Sequence, residues 1–143
     1  MSRIGITMIL LELFLLLIQY LIGMWINLFA VFPPLSSYGF MYGMMQAMFS
    51  VPELMIHMMV GILIGIISLI ILVLFAVSGD YVLSLLGAFA SISIFMAGIS
   101  GLEFVFSGFA NNVFSYIMSL GFIFAVMAYS MILYMVLNRT ERA

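Results

Sequence analysis

Four long runs of apolar residues, each bounded by polar or turn-forming residues, dominate this sequence. A helix needs about 20 apolar residues to cross the hydrocarbon core of a bilayer, and runs at about 6–31, 52–77, 81–101 and 111–137 meet that length. Because 68% of the residues are hydrophobic and only 6% are charged, the chain cannot hide its apolar surface by folding in water. The sequence therefore predicts one all-α domain over residues 1–143, an antiparallel four-helix bundle in the lipid bilayer.

Residues that start or stop helices set the bounds of these runs. Pro33-Pro34 follows the first run, and a helix does not continue through such a pair. Ser50, with Glu53 three residues later, forms the pattern of a capping box at the start of the second helix. Ser78-Gly79-Asp80 predicts a tight polar turn after that helix, and Asn111 is a good capping residue for the fourth helix.

Two connections are too apolar to be free loops. In segment 33–50, apolar residues recur at helical spacing, which predicts a short interfacial helix between the first two spans. The segment LEFVFSGFA at 102–110 predicts a short re-entrant or surface-lying stretch after the third span. Both connections should lie at the same end of the bundle, because the spans alternate in direction.

The arginines indicate how the chain is oriented. Arg3, Arg139 and Arg142 all lie near the termini, and four spans put both termini on one side of the membrane. The positive-inside rule assigns that side to the cytoplasm, so we expect a multi-pass protein of the cell membrane with both termini cytoplasmic. So few cations leave no basic patch, which excludes nucleic acid as a partner. The absence of cysteine excludes disulfides and thiolate metal sites.

A stripe of polar and small residues follows one face of the first helix. Its members are Glu12, Gln19, Gly23 and Asn27. Hydrocarbon does not tolerate such a stripe, so we expect it to face the bundle interior. Glu12 fits a proton-relay or quinone-site carboxylate, because acids inside a membrane are commonly functional. The sequence leaves open the alternative that Glu12 is a structural carboxyl, protonated or hydrogen-bonded.

The other helices also carry one face of small or polar residues. Small residues at helical spacing let helix backbones approach closely in a membrane. Together with Gly23, the predicted packing positions are Gly61 and Gly65 on the second helix, Gly87, Ser91 and Gly98 on the third, and Ser115 and Ser119 on the fourth. Ser68 continues the stripe of the second helix, and Tyr129 continues that of the fourth.

His57, the only histidine, lies near the outer end of the second helix in a methionine-rich stretch. Glu53, four residues earlier on the same face, is expected to orient the imidazole. Imidazole and thioether groups are suitable ligands for copper, which makes His57, Met44 and Met48 a candidate metal site. A bound haem would need a second ligand, for which Met96 is the candidate by its depth in the third helix.

Two other interpretations of His57 stay open. Gln19 and Asn27 could shape a quinone or proton site beside it. Alternatively, His57 is a structural residue, hydrogen-bonded within the bundle and exposed toward the outer surface. Methionine is a common flexible filler of apolar cores, so the surrounding methionines do not by themselves indicate a metal. No cofactor is therefore predicted, with haem and copper as alternatives.

Several short motifs carry a resemblance to a known group of proteins. They are QYLIGMWINLF at 19–29, the pair His57-x3-Gly61, SGLEF at 100–104 and FSYIMSLGFIFAVMAYSMILY at 114–134. Together they resemble small four-helix prokaryotic membrane proteins that have no established activity. The resemblance points to Gln19, Asn27, His57 and Gly61. Relatives in that group tend to carry Asn-Gly where this chain has Ser100-Gly101.

The chain is also loosely similar to half of a haem A synthase-type bundle, but it lacks the second histidine that cofactor binding there requires. Likeness of fold alone does not establish a function. The sequence favours a non-catalytic subunit or scaffold of a larger membrane complex, an energy-transducing one in an archaeon or bacterium, with other membrane subunits or further copies of itself as partners. The alternatives are a haem- or quinone-binding redox protein with His57 as ligand, and a small proton or solute channel.

Overall fold

The computed structural model describes residues 3–32 and 40–140, which form five α-helices and no strands. In chain order the helices are α1 (Arg3–Phe29), α2 (Phe40–Ser50), α3 (Pro52–Ser78), α4 (Tyr81–Phe106) and α5 (Asn112–Thr140). The four long helices are each long and apolar enough to cross a membrane. The predicted all-α membrane bundle is confirmed, and the protein is a multi-pass membrane protein.

Each long helix packs against two others, so the four enclose a common core. Helix α3 packs against α1 and α4, and α5 packs against α4 and α1. The contact between α4 and α5 is the most extensive. Because successive spans alternate in direction, the start of α1, the turn at 79–80 and the end of α5 share one end of the bundle. We call this the Asp80 end, and the opposite end, where α2 packs on α3, the α2 end.

The connection at the α2 end contains the predicted short helix. Ala47 of α2 is fully buried in an apolar cluster with Ile26 of α1 and Leu54 of α3. This contact anchors α2 over the ends of two spans. Residues 33–39, which include Pro33-Pro34, lie outside the described residues. Helix α1 itself ends at Phe29, before the predicted limit at 31.

The third span is longer than the sequence indicates. We expected residues 102–110 to be re-entrant or surface-lying, but α4 continues as helix to Phe106. Val105 is buried within the bundle, so packing sustains the helix beyond Gly101. The connection to α5 is then short and includes Phe109, which has a φ of 62°. At that end the Phe109 ring stacks on Phe32, with 3.6 Å between the ring centroids.

The helix starts agree only in part with the predicted caps. The capping box of Ser50 and Glu53 does not form, because Ser50 is still the last residue of α2 and Val51 becomes the N-cap of α3 without a side-chain hydrogen bond. The prediction for the fourth span is confirmed. The backbone N–H of Val113 donates to the Asn111 side-chain oxygen over 3.1 Å, which caps the start of α5.

Aliphatic side chains from all four long helices form the main core, with Ile9, Ile64 and Ile132 almost completely buried. Lipid tails are as apolar as these side chains, so close packing rather than exclusion of water stabilises the contacts. Gly87 illustrates this closeness. A Cβ at Gly87 would lie 3.0 Å from Cδ2 of Phe75, so the missing side chain lets α3 and α4 approach.

Hydrogen bonds to Asp80 connect α4 and α5 at the Asp80 end of the bundle. The backbone N–H of Leu83 donates to Asp80 Oδ1 over 3.1 Å, which caps α4, and the guanidinium of Arg139 donates to Asp80 Oδ2. The chain enters this turn through Gly79, whose φ of 74° suits glycine. The hydrogen bond from Arg139, with a further contribution from Leu83, holds the pKa of the Asp80 carboxyl below its ordinary value.

We expect the Asp80–Arg139 ion pair to make stability depend on pH only in acid. A lowered pKa means that the contribution is complete above about pH 4, the ordinary aspartate range, and is lost as the pH falls through the lowered pKa. Asp80→Asn keeps a capping side chain but removes the charge, so it should abolish this acid-side loss. Thermal unfolding in detergent micelles as a function of pH measures the effect. An unchanged acid-side loss in the variant would contradict it.

Candidate functional site

Two groups of polar side chains lie inside the bundle. The first, which we call the central cluster, takes one residue from each long helix: Glu12, Ser68, Ser91 and Tyr129. Glu12, Ser68 and Tyr129 are fully buried, and Ser91 is 3% exposed. Glu12 comes about 14 Å after the start of α1, and Tyr129 about 17 Å before the end of α5, at roughly 1.5 Å per residue. The cluster therefore lies near the middle of the spans.

Three hydroxyl groups of the central cluster are hydrogen-bonded in series. The Tyr129 hydroxyl donates to Ser68 Oγ over 2.9 Å, which joins α5 to α3. The Ser68 and Ser91 hydroxyl oxygens lie 2.7 Å apart, which joins α3 to α4. Ser91 Oγ is also 3.4 Å from the Ser68 backbone carbonyl, to which it can donate. The series thus connects three of the four helices and ends on a backbone acceptor.

The fourth member of the cluster, Glu12, is different. Neither carboxyl oxygen has a hydrogen-bond partner among the described residues, although the side chain is fully buried. Glu12 lies in the sequence between Ile9 and Leu16 of α1, which share the main core cluster with Tyr129 of α5. An unpaired carboxylate in such an apolar interior is costly, so the neutral acid is the form that this environment accommodates. The sequence prediction that Glu12 faces the bundle interior agrees with its burial.

The second polar group, which we call the amide–imidazole pair, joins α1 to α3 toward the α2 end. Gln19 Nε2 lies 3.2 Å from His57 Nε2. An amide nitrogen only donates, so His57 Nε2 accepts and the ring proton resides on Nδ1. Two glycines make room for the pair. A Cβ at Gly23 would lie 3.0 Å from His57 Cε1, and a Cβ at Gly61 would lie 3.0 Å from Gln19 Nε2.

The amide–imidazole pair leaves two polar atoms unused. His57 Nδ1 and Gln19 Oε1 are buried, and neither has a partner among residues 3–32 and 40–140. In the tautomer given above, Nδ1 is a donor and Oε1 is an acceptor. A ligand or water with one acceptor and one donor would satisfy both. The stripe of Gln19 and Gly23 predicted from the sequence therefore does face the interior, and it contacts the predicted His57–Gly61 stripe.

Three other sequence predictions about this region are wrong. Glu53 does not hydrogen-bond His57, because the ring turns toward Gln19 on α1 while Glu53 lies in the first turn of α3. Asn27 is exposed rather than interior, because it lies in the last turn of α1, where a polar side chain can reach the interface. Met96 and His57 lie at different depths in the bundle. Because Ser68 of α3 lies opposite Ser91 of α4, Met96 is closer to the middle of the bundle than His57 by about 9 Å, at roughly 1.5 Å per residue.

Some of the predicted metal ligands and packing residues lie inside the bundle, and others are exposed. Met44 and Met48 are partly buried on α2, and Met48 packs in the apolar cluster around Ile26. Within the described residues no group of three or more His, Asp or Glu side chains is arranged to hold a metal ion. Gly98 and Ser119 were predicted to mediate helix contacts, but both are exposed.

The other predicted packing positions are closer to the core. Gly65 and Ser91 are buried, and Ser115 is partly buried. Gly121 was not among the predicted packing positions, yet a Cβ there would lie 2.5 Å from the backbone carbonyl oxygen of Ser93. The only signal was its small size in an otherwise bulky stretch of the fourth span.

Comparison with known proteins does not assign a function to these two polar groups. No family model matches the chain, and no curated protein or solved structure is significantly similar to it.

Gly23→Ala should disturb the amide–imidazole pair. The new Cβ would sit 3.0 Å from His57 Cε1, so the ring has to shift by a few tenths of an ångström. Because the chain has one histidine, its imidazole gives one set of ¹⁵N resonances, and these should move in the variant. Gly65→Ala on the same helix as His57 is the control, since its Cβ would make ordinary contact with Phe95 at 3.9 Å. Equal shifts in both variants would contradict the placement.

Proposed function

We propose that the chain is a non-catalytic integral membrane subunit of a larger membrane complex. The supporting observation is the outer surface of the bundle: only 17% to 33% of the residues in the most apolar stretch of each span are buried within the chain. The remainder is a nearly continuous apolar surface that lipid or other membrane subunits must cover. Two of the connections between the spans are short, and the first contains the packed helix α2, which leaves little mass outside the membrane for chemistry in water.

The proposal includes an orientation and a setting. The start of α1 and the end of α5 lie at the Asp80 end, together with Arg139. We place this end in the cytoplasm of an archaeal or bacterial cell, with the chain in the cell membrane, because all three arginines of the sequence lie near the termini. We also propose kinship with the small four-helix prokaryotic membrane proteins that the motifs resemble, and an energy-transducing complex as the host.

Native mass spectrometry of the tagged protein, extracted gently from its own membranes, tests this proposal. A mass of one or more copies of the chain plus unrelated subunits would support it and identify the complex. Untagged membranes processed in parallel show which subunits are carried over nonspecifically. A particle containing only copies of this chain, stable through the same extraction, would contradict it.

A second candidate, a quinone- or haem-binding redox protein, is favoured by the unused donor and acceptor of the amide–imidazole pair. A quinone carbonyl can accept from His57 Nδ1. Haem fits less well, because Nε2 is engaged by Gln19 and the ring edge lies against Gly23. A Soret band that disappears in His57→Ala would assign haem, whereas a colourless protein excludes it.

Quinone binding has a separate test. Trp25, the only tryptophan, lies on α1 two residues after Gly23, so a quinone at the pair should quench its fluorescence. Saturable quenching by a short-chain quinone, weakened tenfold or more in His57→Leu, would support the second candidate. The same linear quenching in both proteins would reject it.

A third candidate, a small proton or solute channel, is favoured only by the unpartnered Glu12 carboxyl. Glu12→Gln should then abolish flux in proteoliposomes and leave assembly intact. Unchanged flux would reject the channel.

A further inference from the structure

The central cluster holds a titratable group that the subunit proposal does not use. Glu12 is 0% exposed, it lies near the middle of the spans, and both of its carboxyl oxygens lack partners among the described residues. A purely structural side chain at such a site would gain nothing from being an acid, because an apolar residue of similar size packs without a desolvation cost. We therefore considered whether the hydroxyl groups of Tyr129, Ser68 and Ser91 give the acid a chemical role.

The three hydroxyl groups beside Glu12 can be hydrogen-bonded in either direction. As the structure stands, Tyr129 donates to Ser68, and Ser68 can donate to Ser91, which can donate to a backbone carbonyl. In that order the Tyr129 oxygen keeps a free lone pair. Glu12 is not bonded to it in the structure, and a turn of the Glu12 side chain toward Tyr129 would let the neutral acid donate its O–H there. If every hydroxyl rotates, Ser91 donates to Ser68 and Ser68 donates to Tyr129. The Tyr129 O–H is then available to an ionised Glu12 whose side chain has turned toward it.

If Glu12 turns toward Tyr129, this reversibility would give both protonation states of the carboxyl a partner without requiring water in the core. The neutral acid would donate to the series, and the carboxylate would accept from it. Hydrogen bonds to a charged group are stronger than those between neutral groups, so the reversed series would offset part of the cost of the buried charge.

We propose that the central cluster is an occluded proton-binding site, in which Glu12 takes up and releases one proton while the series Tyr129–Ser68–Ser91 reverses its direction. Uptake converts the carboxylate and a proton from water into the carboxylic acid, and release returns that proton to water. This inference goes beyond the subunit proposal and does not depend on which partners surround the bundle.

The chemistry of the neighbours favours a proton over a metal cation. A cation such as Na⁺ needs several oxygen ligands, whereas the Ser68 and Ser91 hydroxyl oxygens are 2.7 Å apart and bonded to each other. On the helices packed against Glu12, the titratable side chains are Glu53 and His57 on α3, and Tyr116, Tyr129, Tyr134 and Arg139 on α5. His57 is paired with Gln19, and Arg139 is paired with Asp80. On α4 the only charged side chain is Glu103, exposed near the α2 end. Glu12 therefore titrates without a close counter-charge among the described residues.

Infrared spectroscopy of the full chain in lipid bilayers at about pH 8 tests the proposal. The wild type should show a protonated-carboxyl C=O band that is absent in Glu12→Gln and displaced in Glu12→Asp. On transfer to D₂O this band should shift within minutes, as its proton exchanges. In Tyr129→Phe, which keeps the ring but breaks the hydroxyl series, exchange should be at least tenfold slower.

Four results would overturn the proposal. The first is a wild type without the protonated-carboxyl band. The second is a band that does not exchange within a day, which would make Glu12 a sealed structural acid. The third is an exchange rate unchanged in Tyr129→Phe. The fourth is loss of the band in NaCl but not in choline chloride, which would indicate a sodium site. If Glu12→Gln fails to assemble, Glu12→Asp alone still assigns the band.

Discussion

Gly121→Ala should weaken the bundle more than alanine at Gly23, Gly61 or Gly87 does. The added Cβ would lie 2.5 Å from the Ser93 carbonyl oxygen and 2.9 Å from Cβ of Ala97, distances that real side chains do not tolerate. Neither atom lies at the end of a flexible side chain, so α4 and α5 must move apart. Overpacking of this kind costs about 1–3 kcal/mol, and the α4–α5 contact is the most extensive in the bundle.

Gly98→Ala is the matched control for this prediction. Gly98 is on α4, the helix that Gly121 approaches, and a Cβ there would meet no atom within 4 Å. The variant should therefore stay within about 0.5 kcal/mol of the wild type. Reversible unfolding of both variants in mixed micelles of a mild and a denaturing detergent gives the free energies. Equal stability of Gly121→Ala and Gly98→Ala would show that α4 and α5 are not so close at this point.

The same two glycines show what sequence reasoning could and could not predict. The search for small residues at helical spacing selected Gly98 and Ser119, which are exposed. It did not select Gly121, which is buried where α5 comes close to the backbone of α4. The spans themselves were predictable, because a bilayer requires a long apolar run whatever the helices contact. Apart from the few polar positions, the face that turns inward was not predictable, because the rest of each helix is apolar on all sides and compatible with lipid.

Polar residues indicated which face of a helix lies inside the bundle, but only in the middle of the spans. Glu12 and Gln19 were correctly expected inside the bundle, because hydrocarbon penalises either side chain on the outer face. The same rule failed for Asn27, which lies close enough to the end of α1 to reach the interface. The partner of His57 was also missed. Sequence spacing identifies the neighbour four residues away, Glu53, whereas the actual partner Gln19 depends on how α1 and α3 are aligned.

The central cluster was unpredictable for a similar reason. Ser68, Ser91 and Tyr129 each stood out on their own helix, but serine in a membrane helix more often bonds to its own backbone than across helices. Ser93 does so, donating to the Phe89 carbonyl over 2.8 Å. Ser68, Ser91 and Tyr129 form a hydrogen-bonded series only because α3, α4 and α5 place them at the same depth in the bundle. That alignment depends on how the helices pack, which the sequence of each helix does not specify.

Tyr129→Ala should produce the second large effect. Tyr129 is the largest side chain that is fully buried, and it contacts the core from α5. Its truncation would leave a cavity in the middle of the bundle and remove the hydrogen bond to Ser68 Oγ, at a cost of about 3–5 kcal/mol. The exposed Tyr134, on the same helix and 69% accessible, provides the control. Tyr134→Ala should change the unfolding free energy by no more than about 0.5 kcal/mol.

Tyr129→Phe separates the ring from its hydroxyl. The ring fills the same space, so only the hydrogen bond to Ser68 is lost, at about 1 kcal/mol or less. In a double-mutant cycle with Ser68→Ala, the two substitutions should cost less together than the sum of their separate costs, by about 0.5 kcal/mol or more. If the costs simply add, Tyr129 and Ser68 are not bonded, and the hydroxyl series that would serve Glu12 does not exist. The stability measurement and the proton-exchange measurement therefore test the same contact by independent means.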